Sequence, residues 1–141
     1  MIEDGLPPEG PGACPQSPGP PAFVRHDPTR IGRPWGWYEG LASGAGYLVK
    51  RLWIDPGRRI SLQRHHHRCE HWVVVAGGGL LESEGQCTVA MVGTTLFIPL
   101  GAVHRASAGG SGLEIIEVQR GTLLLEDDIE RLADDFGRVS S

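Results

Sequence analysis

From Phe23 onward the chain is built of short apolar or alternating runs separated by glycine, the texture of an all-β sandwich or barrel. Runs over residues 47–54, 60–65, 70–76, 80–84, 86–91, 95–98 and 113–119 predict strands. Between them Pro56-Gly57, Gly77-Gly78-Gly79, Glu84-Gly85, Gly93, residues 99–101 and residues 109–112 carry the residue types that end strands or fit tight turns. One helix is predicted near the C-terminus, where Asp127 can cap and Glu130 sits three places later. Ile129, Leu132, Ala133 and Phe136 follow at helical spacing and form an apolar stripe that should lie on the outside of the sheet. No internal repeat or heptad pattern interrupts this reading.

Composition narrows the picture. Residues 1–22 hold seven prolines and four glycines, so half of that segment cannot sustain helix or ladder hydrogen bonds and is expected to be a disordered tail. The remaining residues, 23–141, are room for a single domain. Thirteen basic against 17 acidic residues leave a net charge of -4, which speaks against a nucleic-acid groove or an anionic membrane surface. Twelve of the 13 basic residues are arginine and Lys50 is the only lysine. That bias favours forked recognition of carboxylate or phosphate, although a GC-rich genome produces the same preference. Glu3 and Asp4 stand where a secretory signal would carry positive charge, and no run approaches the roughly 20 apolar residues of a membrane span, so a cytoplasmic protein is expected. Cys14, Cys69 and Cys87 imply neither a disulfide framework nor a cysteine zinc site.

Chemistry is densest over residues 61–72. On a strand, Gln63 and His65 share a face about 6.6 Å apart, close enough to meet one ion. A turn over residues 66–69 then starts a strand in which Glu70, Trp72 and Val74 share one face and His71, Val73 and Val75 the other. Glu70 can thus rejoin Gln63 and His65, and His104, beyond the Pro99-Leu100-Gly101 break, supplies a remote fourth group. The set Gln63, His65, Glu70 and His104 reads as ligands of one divalent metal ion (Zn, Mn, Co, Ni or Fe); the bland alternative is a satisfied polar network inside the barrel.

Other residues divide by parity. His71 falls on the outer face, with a structural role or a dimer contact. His66 and His67 sit in the turn, exposed by default, with His67 a candidate proton carrier at the barrel mouth. Lys50 shares a strand face with Leu48, Leu52 and Ile54; one register places its ammonium inside, where an unpaired charge is costly, and the other leaves it solvated. Arg58 and Arg59 precede the metal-bearing strand at the lip, where a guanidinium could hold phosphate, while Arg64 and Arg105 have surface parity.

These spacings resemble the two cupin motifs. The first runs Gly57, Gln63, His65, Glu70, Gly77, and the second Gly93, Pro99, Gly101, His104; Gln63 replaces the usual first histidine and Ala108 the closing asparagine. More closely, Arg33 to Glu39, the run 47–52, Ser61 to Gly77, Glu114 to Gln119 and Glu126 to Ile129 resemble the cupin domain of type II mannose-6-phosphate isomerases over roughly residues 33–138. Gln63 is part of that likeness, whereas Leu124 and Leu125 depart from it. The resemblance implies an all-β double-stranded β-helix (a jelly-roll barrel), one divalent metal, and reversible conversion of mannose 6-phosphate to fructose 6-phosphate through an enediolate. Glu117, which alternates with Leu113 and Ile115, is the first candidate base and His67 the second; Lys50 and Arg58 are candidates for phosphate or enediolate contact. In that family the cupin usually follows a nucleotidyltransferase domain that makes GDP-mannose. That domain has no counterpart here, so guanylyltransferase activity is not expected. The competing readings are a non-catalytic sugar-phosphate-binding module or subunit, and another cupin enzyme such as a different sugar isomerase or an oxygenase. A sugar phosphate is the expected small-molecule partner, and pairing through an exposed edge strand makes a homodimer the expected assembly.

Overall fold

The computed structural model describes residues 23–27 and 29–140; the segment read as a disordered tail lies outside them. Ten strands follow in chain order: β1 Val24–Arg25, β2 Arg30–Arg33, β3 Gly36–Gly44, β4 Tyr47–Ile54, β5 Leu62–Arg64, β6 Arg68–Ser83, β7 Gln86–Ala90, β8 Thr95–Ile98, β9 His104–Gly121 and β10 Glu130–Ala133.

Two long strands organise the rest. β6 and β9 pair antiparallel from Arg68↔Gly121 to Ser83↔His104, and their ladder slips at Val74/Ala76 and again at Gly77/Gly79. Such irregularities bend a strand pair. The runs 70–76 and 80–84, predicted as separate strands, are therefore one strand folded over its glycines. Gly77 has φ +74°, and a Cβ there would run into the Gly112 carbonyl, so only glycine permits the bend. On one side of it β4 pairs with the later part of β9 and β8 with the first part of β6; on the other, β7 pairs with the later part of β6 and β5 with the start of β9. Two walls result, sharing β6 and β9. Trp72, Ile54, Ile115 and Leu113 from the first wall and Leu81 and Ala106 from the second form one buried cluster between them.

Strand alternation survives in the burial. Leu113, Ile115, Glu117 and Gln119 point inward, as do Arg68, Glu70, Trp72 and Val74. On β4 the inward register is the one that contains Lys50, Leu52 and Ile54, which decides between the two readings of Lys50: it is buried. Strand β3, absent from the sequence reading, hairpins onto β4 and contributes buried Tyr38 and Glu39; its three glycines hide the alternation.

The predicted C-terminal helix does not form, and no helix occurs among the described residues. Asp128 accepts the backbone N–H groups of His66 and His67, both at 3.0 Å, where Asp127 was expected to cap a helix. Residues Glu130–Ala133 then pair with β5, and Arg64 grips Glu130 with two hydrogen bonds of 2.8 and 3.2 Å. Leu132 and Phe136, two members of the expected apolar stripe, stay exposed. A three-residue strand with an open edge gains ladder partners from this segment, which outweighs a weak helical propensity.

Candidate functional site

His65 leaves the end of β5, Glu70 lies near the start of β6 and His104 opens β9; Gln63 on β5 is paired directly with His104. The ladder brings the first three together without strain. His65 Nε2 stands 3.1 Å and His104 Nε2 3.0 Å from Glu70 Oε1, and the three residues are 2%, 0% and 1% exposed for His65, His104 and Glu70 respectively. Each imidazole is turned by its far nitrogen: His65 Nδ1 lies 2.7 Å from the Asp128 carbonyl and His104 Nδ1 2.8 Å from the Ala102 carbonyl. A carbonyl only accepts, so each Nδ1 carries the hydrogen and each Nε2 presents a lone pair. The edge of Trp72 packs against the His104 ring at 5.4 Å between centroids.

Glu70 Oε1 and His104 Nε2 are buried and make no hydrogen bond. Two imidazole lone pairs and a carboxylate oxygen converge there; the Arg68 guanidinium reaches His65 Nε2 at 3.3 Å but leaves Glu70 Oε1 and His104 Nε2 unpaired, a need that a bound cation would meet. The mixed nitrogen and oxygen donors fit a divalent transition metal or zinc. Gln63 stands beside these heads, its Nε2 3.3 Å from His65 Nε2 and its Oε1 accepting from Ser61 at 2.7 Å. Its amide is thus held between Ser61 and His65 at the edge of the cluster.

Next to the cluster opens a cavity of about 110 Å³. Across its wall the ladder sets Lys50, Glu117 and Trp72 in one row, because Lys50 pairs with Glu117 and Glu117 with Trp72. The Glu117 carboxylate accepts from Trp72 Nε1 at 2.8 Å and from Gln119 Nε2 at 2.7 Å. Burial, then the neighbouring Glu70 charge, push its pKa up to about 8, with Lys50 and Arg68 opposing. Burial lowers the pKa of Lys50, opposed by Glu117. Its ammonium pairs with Glu126 and lies 4.6 Å from the centre of the Tyr38 ring.

The other sequence candidates fare differently. His67 is exposed and does not line the cavity, because the Asp128 clamp on its backbone turns the loop outward. Arg58 does not line the cavity either: its guanidinium bonds the Pro34 carbonyl at 2.7 Å and Asp55 at 3.4 Å. Arg105 is buried rather than superficial, donating to the Ile60 and Ala133 carbonyls. Arg64 pairs with Glu130, and His71 stacks on Phe97 on the outer face at 4.7 Å. Cavity residues that the sequence reading missed include Arg68, Gln119, Glu126, Arg131 and Arg138. Parity with Glu70 and Glu117 was enough to find Arg68 and Gln119. No local signal marks the other three, since they lie in or beside the segment read as helix.

A bent all-β barrel with a buried His/Glu/His cluster defines a cupin, and solved structures agree on the fold. An RmlC-like cupin from Shewanella frigidimarina superposes with a TM-score of 0.63 at 20% identity, covering 71% of this chain and 87% of that one. The family model described as mannose-6-phosphate isomerase C-terminal matches residues 24–134, and the chain belongs to that family. Alginate biosynthesis protein AlgA of Pseudomonas aeruginosa is 46% identical over 109 residues, which are 77% of this chain and 23% of that protein. A mannose-1-phosphate guanylyltransferase of Escherichia coli is 45% identical over 108 residues, 76% of this chain and 23% of the relative. The chain thus spans about a quarter of the length of the curated relatives it matches.

Proposed function

We propose that this domain interconverts mannose 6-phosphate and fructose 6-phosphate, with Glu117 as the base. The observation that carries the reading is a buried carboxyl with its pKa pushed up to about 8, lining the same cavity as Glu70 and the Lys50 ammonium. Isomerisation moves a proton from C2 of the open-chain aldose to C1 through an enediolate. A carboxylate of raised pKa is suited to take that proton on one face and return it to the neighbouring carbon. Lys50 and Arg68 offer positive charge where the enediolate oxygens become negative. His65, Glu70 and His104 would hold a divalent cation through Nε2, Oε1 and Nε2, with Gln63 beside them. Such an ion, when bound, supplies Lewis-acid stabilisation of the growing oxyanion. Trp72 and Gln119 hold the Glu117 carboxylate in place through the two hydrogen bonds it accepts.

The Glu117→Gln variant keeps the shape and loses the base. We expect turnover of mannose 6-phosphate in a coupled assay to fall about 100- to 10,000-fold, with solvent deuterium no longer entering at C2. A variant within threefold of the parent rate would remove Glu117 from the mechanism. The rival reading, a sugar-phosphate-binding module, is favoured by the short share of each relative that the chain spans. It predicts binding by calorimetry with no exchange of the C2 proton in the parent protein.

A further inference from the structure

A hexose phosphate has two chemically different ends, and the cavity has two as well. The ladder places His104, Gln63 and Arg131 in a row across three neighbouring strands, since Gln63 is paired with His104 on β9 and with Arg131 on β10. Directly paired residues point to the same face, and strands lie about 4.8 Å apart, so Arg131 stands about 9.6 Å from His104 along the wall. One end of the row is the His/Glu/His cluster and the other is arginine.

Most arginines of this chain already have a carboxylate. Arg30 pairs with Glu39, Arg51 with Glu114, Arg59 with Asp135 and Arg64 with Glu130. Arg131 has no such partner among the described residues, and its Nε is buried, lines the cavity region and makes no hydrogen bond. Beside it on the cavity wall are Arg138, fixed by two bonds of 2.7 and 3.1 Å to Asp134, and Arg33, which bonds the Tyr38 hydroxyl at 3.3 Å. The cavity wall carries five basic residues (Arg33, Lys50, Arg68, Arg131, Arg138) against three acidic ones (Glu70, Glu117, Glu126), in a chain whose net charge is -4. Burial and then the Arg138 charge act to lower the Arg131 pKa, with Asp134 opposing; a bound dianion would reverse that cost.

We infer that Arg131, flanked by Arg138 and Arg33, is the seat of the substrate's phosphoryl group, two strands away from the carbon atoms that exchange the proton. The inference rests on the hexose-phosphate reading of the cavity. It does not need the isomerase step. A planar guanidinium with an uncommitted edge suits bidentate contact with a phosphate; Arg33 adds a second positive charge, and Arg138, whose Nε and Nη2 are held by Asp134, adds the donor of its Nη1. Binding the remote end this way orients C1 and C2 towards Glu117.

Calorimetry on the full chain tests it, with mannose 6-phosphate, mannose and inorganic phosphate as ligands and with Arg131→Gln, Arg131→Lys and Arg138→Gln as variants. The parent should bind mannose 6-phosphate and inorganic phosphate in competition. Arg131→Gln should weaken mannose 6-phosphate about 10- to 100-fold and abolish the competition by phosphate, while its metal content stays that of the parent. Arg131→Lys should fall between, since it keeps the charge and loses the fork. If Arg131→Gln does not fold, a weakening of phosphate by Arg138→Gln and Arg131→Lys carries the same meaning. Variants that bind both anions within twofold of the parent would overturn the assignment, as would a parent that binds neither anion. A parent that binds both but exchanges no C2 proton would sink the isomerase reading and leave the phosphoryl seat standing.

Discussion

Lys50 is the clearest case of a residue whose meaning depends on one rotation of a strand. With Leu52 and Ile54 it faces inward, and there its charge sets the chemistry of Glu117, its paired neighbour on β9. The sign follows from the pair. A nearby ammonium favours the carboxylate and lowers the Glu117 pKa, while burial and Glu70 raise it and win. As the base acts in its ionised form, kcat/KM should rise with pH through about 8. Replacing Lys50 by methionine removes the lowering influence, so the rise should move to higher pH. A pH profile of the variant with its midpoint unmoved, or moved towards acid, would contradict this. His104 offers a second test at the same scale. Because its Nε2 is buried without a hydrogen-bond partner, His104→Ala should remove a cation ligand and leave the β9 ladder intact.

At the scale of elements, the decisive piece is the turn between β5 and β6, which delivers His65 and Glu70 to one point. Asp128 holds it by accepting two backbone N–H groups, those of His66 and His67, and its own carbonyl orients His65. Burial alone would raise the Asp128 carboxyl, but those two N–H groups prevail and lower it. A depressed carboxylate pKa contributes stability that is fully present above the unfolded value and lost as pH falls through the folded one. We expect Asp128→Ala to cost about 1 to 3 kcal/mol by chemical denaturation at neutral pH, and to show a smaller loss on acidification than the parent. Equal stability of the two proteins at pH 7 would refute the clamp. This element also explains the failed helix. Asp127, Glu130 and the apolar spacing are local features consistent with a helix, yet the segment meets an open strand edge and an Asp128 clamp that no local pattern announces.

For the whole molecule, the two walls share β6 and β9, so a ligand held by residues of β6, β9 and the end of β5 ties the barrel together. A cation bound only by the folded chain adds RT ln(1 + [L]/Kd), about 2.7 kcal/mol at a hundredfold excess over Kd. The melting temperature of the parent should therefore rise with added zinc or manganese and fall with a chelator, while His104→Ala should lose that response. A parent whose melting point ignores both treatments would argue for a purely polar network.

Much of this was legible beforehand for a physical reason. Alternation is a local property of an extended chain, so the inward faces of β6 and β9, and with them Glu70, Trp72, Glu117 and Gln119, follow from parity once the strands are recognised. The glycine-bounded spacing of His65, Glu70 and His104 likewise marks groups that a barrel can bring together. What the sequence by itself determined is therefore which side chains share a face and which chemistry they carry. Only the tertiary structure decided the register of β4 that buries Lys50, the outward turn of His67, the placing of Arg58 outside the cavity and the strand that brings Arg131 into line with Gln63. Those outcomes depend on which backbone hydrogen-bonds to which across distant parts of the chain, and a shift of one residue in any ladder would have reversed every face.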